Sequence, residues 1–274
     1  MDKPVHARFS CGQYPGAYLP DLSWGSGASM SYRRRVHAAI LFAAAFLVCC
    51  LCVSTGRAVA GDDGARFLLF AGSDFWRNGD FAYGGLLWSP GGLDNEGFTL
   101  KAVMSGGIYR YNSGALGNAQ VYGYELVGQM LPGWRFKRDT LEVKVFAGLD
   151  VESHRLFPDD PSSRLRGGDV GLRAVVDLWY EPTPQTMLAA DGSISTIITS
   201  YSARIAYGWR AFDLLYVGPE AQTFACVGYQ QVRLGLHLTG FKAVDAEWSG
   251  AIGWSEDSDH RASPYVRFGV LMRR

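Results

Sequence analysis

The chain has 274 residues, with 26 basic and 26 acidic side chains, 48% hydrophobic residues, 34 glycines and five cysteines. This balanced charge leaves no extended basic field, which argues against nucleic acid as a partner. Four of the cysteines lie within residues 1–60 and only Cys226 lies beyond them, so the rest of the chain is predicted to have no disulfide framework and no Cys-based zinc site.

Residues 30–60 have the organisation of a secretory signal peptide. Arg33–Arg35 form a basic start, residues 36–53 are an apolar run, and a small-x-small triplet ends at Ala60. We therefore expect cleavage between Ala60 and Gly61. An uncleaved anchor is the alternative, but the run is shorter than the roughly 20 residues that a membrane-spanning helix needs.

Residues 1–29 are rich in Gly, Ser and Pro and show no periodicity, and Met30 directly precedes the basic cluster. We interpret residues 1–29 as a non-native or disordered upstream extension. Removal of residues 1–60 takes away six basic and two acidic side chains, which leaves a net charge of −4. Residues 61–274 are predicted to form one domain, and no segment of it approaches a helical membrane span.

Apolar residues recur at every second position along this domain. In residues 141–152 they occupy every second position from Leu141 to Val151. The alternate positions are Glu142, Lys144, Phe146, Gly148, Asp150 and Glu152. Successive strand side chains point to opposite faces, so this pattern predicts strands with one apolar and one polar face. The same alternation recurs around Leu172, Leu234 and Val270.

Twelve strands are predicted, and several are about as long as the 9–11 residues that a tilted membrane strand requires. Turn-forming sequences separate them, including Arg77-Asn78-Gly79, Pro132-Gly133 and Glu181-Pro182-Thr183-Pro184. The predicted segments are residues 65–76, 80–88, 97–111, 119–131, 140–152, 168–180, 186–198, 201–211, 214–225, 229–240, 246–255 and 263–272.

These features predict an all-β, antiparallel, up-and-down transmembrane β-barrel of about twelve strands in the outer membrane. Trp and Tyr residues near strand ends fit the aromatic girdles of such barrels. An even strand number would leave both termini on the periplasmic side and place the longest outer loop at about residues 153–167. The alternative is a soluble periplasmic β-protein whose apolar faces turn inward.

The polar strand faces predict a lumen crossed by ion pairs. Its candidate members are Lys144, Arg173, Asp177, Arg204, Glu220, Arg233, His237 and Arg267. Aromatic side chains on the same faces are candidates for stacking on a polysaccharide, with anchoring in the bilayer rim as the alternative. These candidates are Tyr109, Tyr111, Tyr216, Tyr229 and Tyr265.

The sequence gives little support for catalysis, and we expect no catalytic residues, no metal and no cofactor. His154 is predicted in an outer loop, His237 on an inward face and His260 in the last loop. Ser153 precedes His154, but adjacent strand residues point to opposite faces, which disfavours a Ser–His pair. A barrel enzyme acting on lipid or glycan at the rim is the alternative function.

Six segments of the chain carry a family resemblance: Phe70–Gly79, Leu86–Gly92, Tyr109–Gly117, Leu131–Lys137, Asp177–Thr183 and Tyr207–Arg210. Together they resemble the cellulose biosynthesis protein BcsS family of Gram-negative cellulose producers, and the resemblance covers residues 66–274. It implies an accessory role in making or exporting cellulose, with cellulose and cellulose-export proteins as partners, and it supplies no catalytic residues. Outer-membrane lipid is the partner expected of the barrel itself.

Overall fold

The computed structural model describes residues 64–274, which form a closed antiparallel barrel of twelve strands, as the alternation predicts. Each strand pairs with its neighbours in chain order, and the first strand pairs with the last. The strands are β1 (Phe67–Trp76), β2 (Gly79–Trp88), β3 (Gly97–Ser113), β4 (Ala119–Arg138), β5 (Leu141–Phe157), β6 (Gly167–Thr183), β7 (Thr186–Ser195), β8 (Ser200–Ala211), β9 (Leu215–Cys226), β10 (Tyr229–Ala243), β11 (Ala246–Asp257) and β12 (Ala262–Arg273).

Helical structure in residues 64–274 is limited to two 3-10 turns, Gly114–Leu116 and Ile197–Thr199. No helix in this part of the chain is long and apolar enough to cross a bilayer. The expected extension at residues 1–29 and signal peptide at residues 30–60 lie outside the described residues. The same holds for the expected cleavage between Ala60 and Gly61.

The two ends of the barrel differ in their connections. At one end, here called the terminal end, the backbone N–H of Phe67 donates to the Arg274 carbonyl at 2.7 Å. Short turns link the even strands to the odd ones there, except for the loop of residues 89–96 between β2 and β3. The opposite end, the loop end, carries the longest strand connection, residues 158–166. This loop is shorter than predicted because residues 153–157 continue β5 and pair with β4.

The outward face of the barrel is apolar. Val145, Leu172 and Leu234 are all exposed, and Leu172 and Leu234 are 60% and 63% exposed. A barrel whose apolar side chains face outward suits the hydrocarbon layer of a bilayer and does not suit water. Trp134, Trp209 and Trp248 are exposed near the terminal end, and Trp254 is exposed near the loop end. Trp179 departs from this girdle, because it points inward and its ring packs 6.2 Å from that of Tyr216.

Residues 132–133 do not form the predicted turn, because β4 continues through them to Arg138. The pairing of β4 with β5 is interrupted beside Pro132, which has no N–H to donate. The two strands close tightly there: a Cβ on Gly148 would lie 2.2 Å from the Met130 carbonyl oxygen.

The connection between β2 and β3, residues 89–96, folds back over the terminal end. Leu93 is buried, and its backbone N–H donates to the Ala65 carbonyl at 2.7 Å. The carboxylate of Asp94 accepts a hydrogen bond from Arg273 at 2.7 Å. That bond, helped by the charge of Lys137, holds the pKa of Asp94 below its usual value. Leu93 packs in an apolar cluster with Leu87, Leu131 and Phe146.

The exposed face predicts strong position dependence for added charge. Leu234→Arg should destabilise the barrel by about 2–4 kcal/mol, because it places a guanidinium in the hydrocarbon layer. The free energy of unfolding in phospholipid vesicles measures this. Ser202→Arg is the matched control, since Ser202 lines the interior cavity, and it should cost clearly less. Equal losses at both positions would reject this assignment of faces.

The close approach of β4 and β5 makes a second prediction. Gly148→Ala should destabilise the barrel by about 1–3 kcal/mol, because the added methyl group meets backbone atoms that cannot move independently. Gly128→Ala, on the neighbouring strand, should be nearly neutral, since nothing lies within 4 Å of its Cβ position. Denaturation midpoints of the two variants make the comparison, and a reversed order would contradict the observed register.

Candidate functional site: the barrel lumen

The lumen is open at the terminal end and filled at the loop end. A cavity of about 1100 Å³ is lined by turn residues of the terminal end, such as Asp139 and Thr140, and reaches as far as Asp74, Arg173 and Arg233. Beyond this level several inward-facing side chains are almost fully buried. Gln231, Arg233, Val121, Asp150 and Tyr265 are each at most 2% exposed.

Arg233 lies where the cavity ends and the filled region begins. Its guanidinium donates to the Asp74 carboxylate at 2.6 Å and to the Gln231 side-chain oxygen at 2.7 Å. Three aromatic rings surround the same group, and their centroids lie 4.8 to 5.7 Å from its carbon. These rings belong to Trp76, Phe224 and Tyr265. Cation–π contacts gain strength when water is excluded, so this cage holds the cation firmly across the lumen.

Glu220 anchors a second charged group. Its buried carboxylate accepts hydrogen bonds from Arg267 at 2.6 Å and from the Tyr265 hydroxyl at 2.9 Å. Arg204 lies 3.6 Å from the same carboxylate and donates to Asp191 at 2.6 Å. Two arginines and two carboxylates, from β7, β8, β9 and β12, thus neutralise one another.

Arg173 organises a third group nearer the loop end. It lies 2.9 Å from a carboxylate oxygen of Asp150 and 3.1 Å from one of Glu152, and it also donates to the Ser193 hydroxyl at 3.2 Å. The Ser195 hydroxyl donates to Asp150 at 2.6 Å. Both acids lie on the polar face of β5 that the sequence identified, although neither was among the candidate ion-paired residues.

Lys144 and Asp177 lie opposite each other in register but do not pair through their side chains. The Lys144 ammonium contacts Glu142 at 2.5 Å, and Asp177 instead pairs with Lys101 at 2.9 Å. His237 has no carboxylate among its hydrogen-bond partners and bonds to the Thr239 hydroxyl and the Tyr207 carbonyl. The candidate residues therefore belong to separate local groups, whose unpredicted members are Asp74, Lys101, Glu142, Asp150, Glu152 and Asp191.

The five candidate tyrosines do not form one ladder. Tyr109 and Tyr111 stack on each other near the loop end, whereas Tyr216 packs against Trp179 near the terminal end. Tyr229 packs on Phe224, and Tyr265 lies beneath Arg233. None of the five lines the described cavity. The aromatic residues that line it are Phe70, Tyr83, Trp179 and Phe224.

The loop of residues 158–166 is fixed to the lumen by Asp160. Its carboxylate accepts hydrogen bonds from the Ser162 hydroxyl at 2.6 Å and from the Tyr111 hydroxyl at 3.0 Å. These bonds, with that from Ser162 the largest influence, hold the pKa of Asp160 below its usual value. Asp160 is thus a buried acceptor that caps the loop end. Asp159, its neighbour in the loop, is exposed and pairs with Arg166.

His154 lies on the inward face of β5 and is buried, so its predicted place in a loop is wrong. The strand extends past residue 152, and this extension brings His154 onto the same face as Glu152. Ser153 points outward. The Ser153 and His154 side chains therefore point to opposite faces of β5, as expected.

The Arg233 cage predicts strong coupling between Arg233 and Asp74. Arg233→Gln should destabilise the barrel by up to about 3–5 kcal/mol, because it leaves the partly buried carboxylate of Asp74 without its cation. The double variant Asp74→Asn/Arg233→Gln should lose less stability than the sum of the single variants. Denaturant unfolding of all four proteins completes this cycle, and strict additivity would show that the two side chains do not depend on each other.

Several solved structures are similar to the chain in fold. An outer membrane channel from Pseudomonas putida F1 has 8% identity and a TM-score of 0.51, with 80% of this chain and 100% of that chain covered. The KdgM porin in complex with disordered oligogalacturonate has 13% identity and a TM-score of 0.42, with 75% and 98% covered. LpxR from Salmonella typhimurium has 10% identity and a TM-score of 0.42, with 75% and 99% covered. At these identities, the first comparison supports an outer-membrane type of barrel and nothing finer.

No curated protein matches the chain in sequence. A family model described as cellulose biosynthesis protein BcsS matches residues 68–274, which include almost the whole barrel. This match agrees with the resemblance carried by the turn and strand segments of the sequence. The chain belongs to the BcsS family of cellulose biosynthesis proteins.

Proposed function

We propose that the protein is an outer-membrane accessory barrel of bacterial cellulose production, exported by its signal peptide. It acts there as a scaffold or partner of the secretion machinery and does not itself conduct the glucan. The family match supports the cellulose role. The observation that carries the finer proposal is the filled lumen beyond Arg233.

Passage of a polymer would require the filled region to open. Arg233 bridges from β10 to Asp74 on β1, and Arg173 joins β6 to the acids of β5. Breaking a buried ion pair leaves a charge without its partner, which typically costs about 3–5 kcal/mol for each pair. Nothing in the glucan, a neutral polymer, would replace the lost ionic contacts.

The membrane location follows from the outward face. Exposed Leu, Val and Ile side chains surround the barrel, and they require lipid as their environment. Outer-membrane lipid is therefore the first partner of the protein. Because the short turns of such barrels usually face the periplasm, we assign the terminal end and its cavity to that side.

The cavity gives a periplasmic partner a place to bind. Its wall combines balanced charges with the rings of Trp179 and Phe224, and its apolar portion includes Leu87 and Leu93. Cellulose or a segment of a cellulose-export protein could enter from the periplasm without crossing the barrel. This arrangement fits an accessory role better than an enzymatic one, because the Ser153 and His154 side chains point to opposite faces.

Deletion of the gene in a cellulose producer should lower cellulose yield or alter fibre form, and the wild-type gene should restore both.

Purified protein in planar bilayers should show no steady conductance, since the loop end is filled. Carbonate extraction and heat-modifiable gel mobility serve as the control for a folded, membrane-inserted barrel. Unchanged cellulose after deletion would remove the pathway assignment, whereas stable open-channel currents would favour a pore.

A further inference from the structure

His154 lies in a compact group with two carboxylates in the outer half of the lumen. Glu125 on β4 is directly opposite His154 in register, and Glu152 is two residues earlier on the same face of β5. One ligand atom from each of the three residues lies within 4.8 Å of the other two. In residues 64–274, no other three His, Cys, Asp or Glu side chains are grouped so closely.

The distance between His154 and Glu152 suits metal ligands better than a hydrogen bond. His154 Nε2 lies 3.5 Å from a Glu152 carboxylate oxygen, which is long for an N–H···O bond. Two ligands that are each about 2.0–2.1 Å from a tetrahedral zinc ion are separated by roughly 3.4 Å. The pair therefore already has the spacing of two neighbouring zinc ligands.

The imidazole is oriented by a separate hydrogen bond. The Tyr109 hydroxyl lies 3.2 Å from His154 Nδ1 on the side away from Glu152. A Cβ on Gly123 would meet the Tyr109 ring at 2.1 Å, so the glycine allows this tyrosine to lie flat against β4. Metal-bound histidines commonly use the second ring nitrogen in this way, which fixes the ring and directs the free nitrogen at the metal.

The charge of the group also calls for a cation. Glu125, Glu152 and Asp150 contribute three carboxylates to this region, and Arg173 supplies one positive charge to Asp150 and Glu152. Asp150 is fully buried, and its Oδ1 atom has no hydrogen-bond partner. An excess of negative charge in a confined interior is costly unless something compensates it.

We propose that Glu125, Glu152 and His154 form a zinc-binding site in the outer half of the barrel, with Tyr109 positioning the histidine. Two carboxylates and one imidazole are a ligand set that Zn²⁺ accepts, and a fourth position remains for water. Glu125 is only half-buried, which keeps the site in contact with solvent. The ion would tie β4 to β5 and neutralise the carboxylates. This assignment is independent of the cellulose role. It differs from the expectation, drawn from the sequence, that the protein has no metal site and that His154 lies in a loop.

Zinc binding to the folded barrel tests the proposal. Detergent-purified protein is stripped with a chelator, titrated with ZnCl₂ and analysed by elemental mass spectrometry and calorimetry. We expect one zinc ion per chain, with His154→Gln and Glu125→Gln each weakening zinc binding more than tenfold. Tyr109→Phe should weaken binding about 10–100-fold, as loss of a group that orients a ligand does. Zinc should raise the unfolding temperature of the wild type and leave that of His154→Gln unchanged.

His237→Gln is the matched control, because His237 is also a buried lumen histidine but bonds only to Thr239 and the Tyr207 carbonyl. It should bind zinc as the wild type does. Heat-modifiable mobility shows which variants are folded, and only folded ones are compared. Absence of stoichiometric zinc in the wild type, unchanged zinc affinity in folded His154→Gln, or an equal loss in His237→Gln would each overturn the assignment.

Discussion

The structure depends on closure of the sheet. A bilayer core offers no water to backbone N–H and C=O groups, so a strand can cross it only when both of its edges are paired. The nine residue pairs between β1 and β12 remove the last free edges and turn twelve strands into a cylinder. Closure then limits the interior, and the side chains that point inward must satisfy one another within that space.

The interior meets this requirement with contacts between strands that are not neighbours in the sheet. Lys101 on β3 reaches Asp177 on β6, Arg267 on β12 reaches Glu220 on β9, and Arg233 on β10 reaches Asp74 on β1. Backbone pairing alone fixes only adjacent strands, so these contacts across the lumen set the cross-section of the cylinder. Five of these six side chains, all but that of Glu220, also line the cavity.

The period-two pattern predicted much of the fold because it is a local property of the chain. It assigned Leu172 and Leu234 to the outward face and Arg173 and Arg233 to the inward face. Interior partners could not be predicted in the same way, since they depend on strand tilt and on strands distant in sequence. Lys144 contacts Glu142 on its own strand although Asp177 is its neighbour in register. His154 was misplaced for a related reason: the end of β5 depends on pairing with β4, which local turn signals do not reveal.

The loop of residues 89–96 has a consequence for the joint between the two ends of the chain. Leu93 bonds to Ala65, which lies just before β1, and Asp94 bonds to Arg273 at the end of β12. These two anchors are brought together only when β1 has paired with β12, so the loop can dock fully only on a completed cylinder. Docking of this loop is therefore thermodynamically coupled to the pairing of β1 with β12, and the two strands cannot separate without also releasing Leu93 or Asp94. The pairing of β1 with β12, where the sheet would otherwise open most easily, is thereby stabilised by a third segment of the chain.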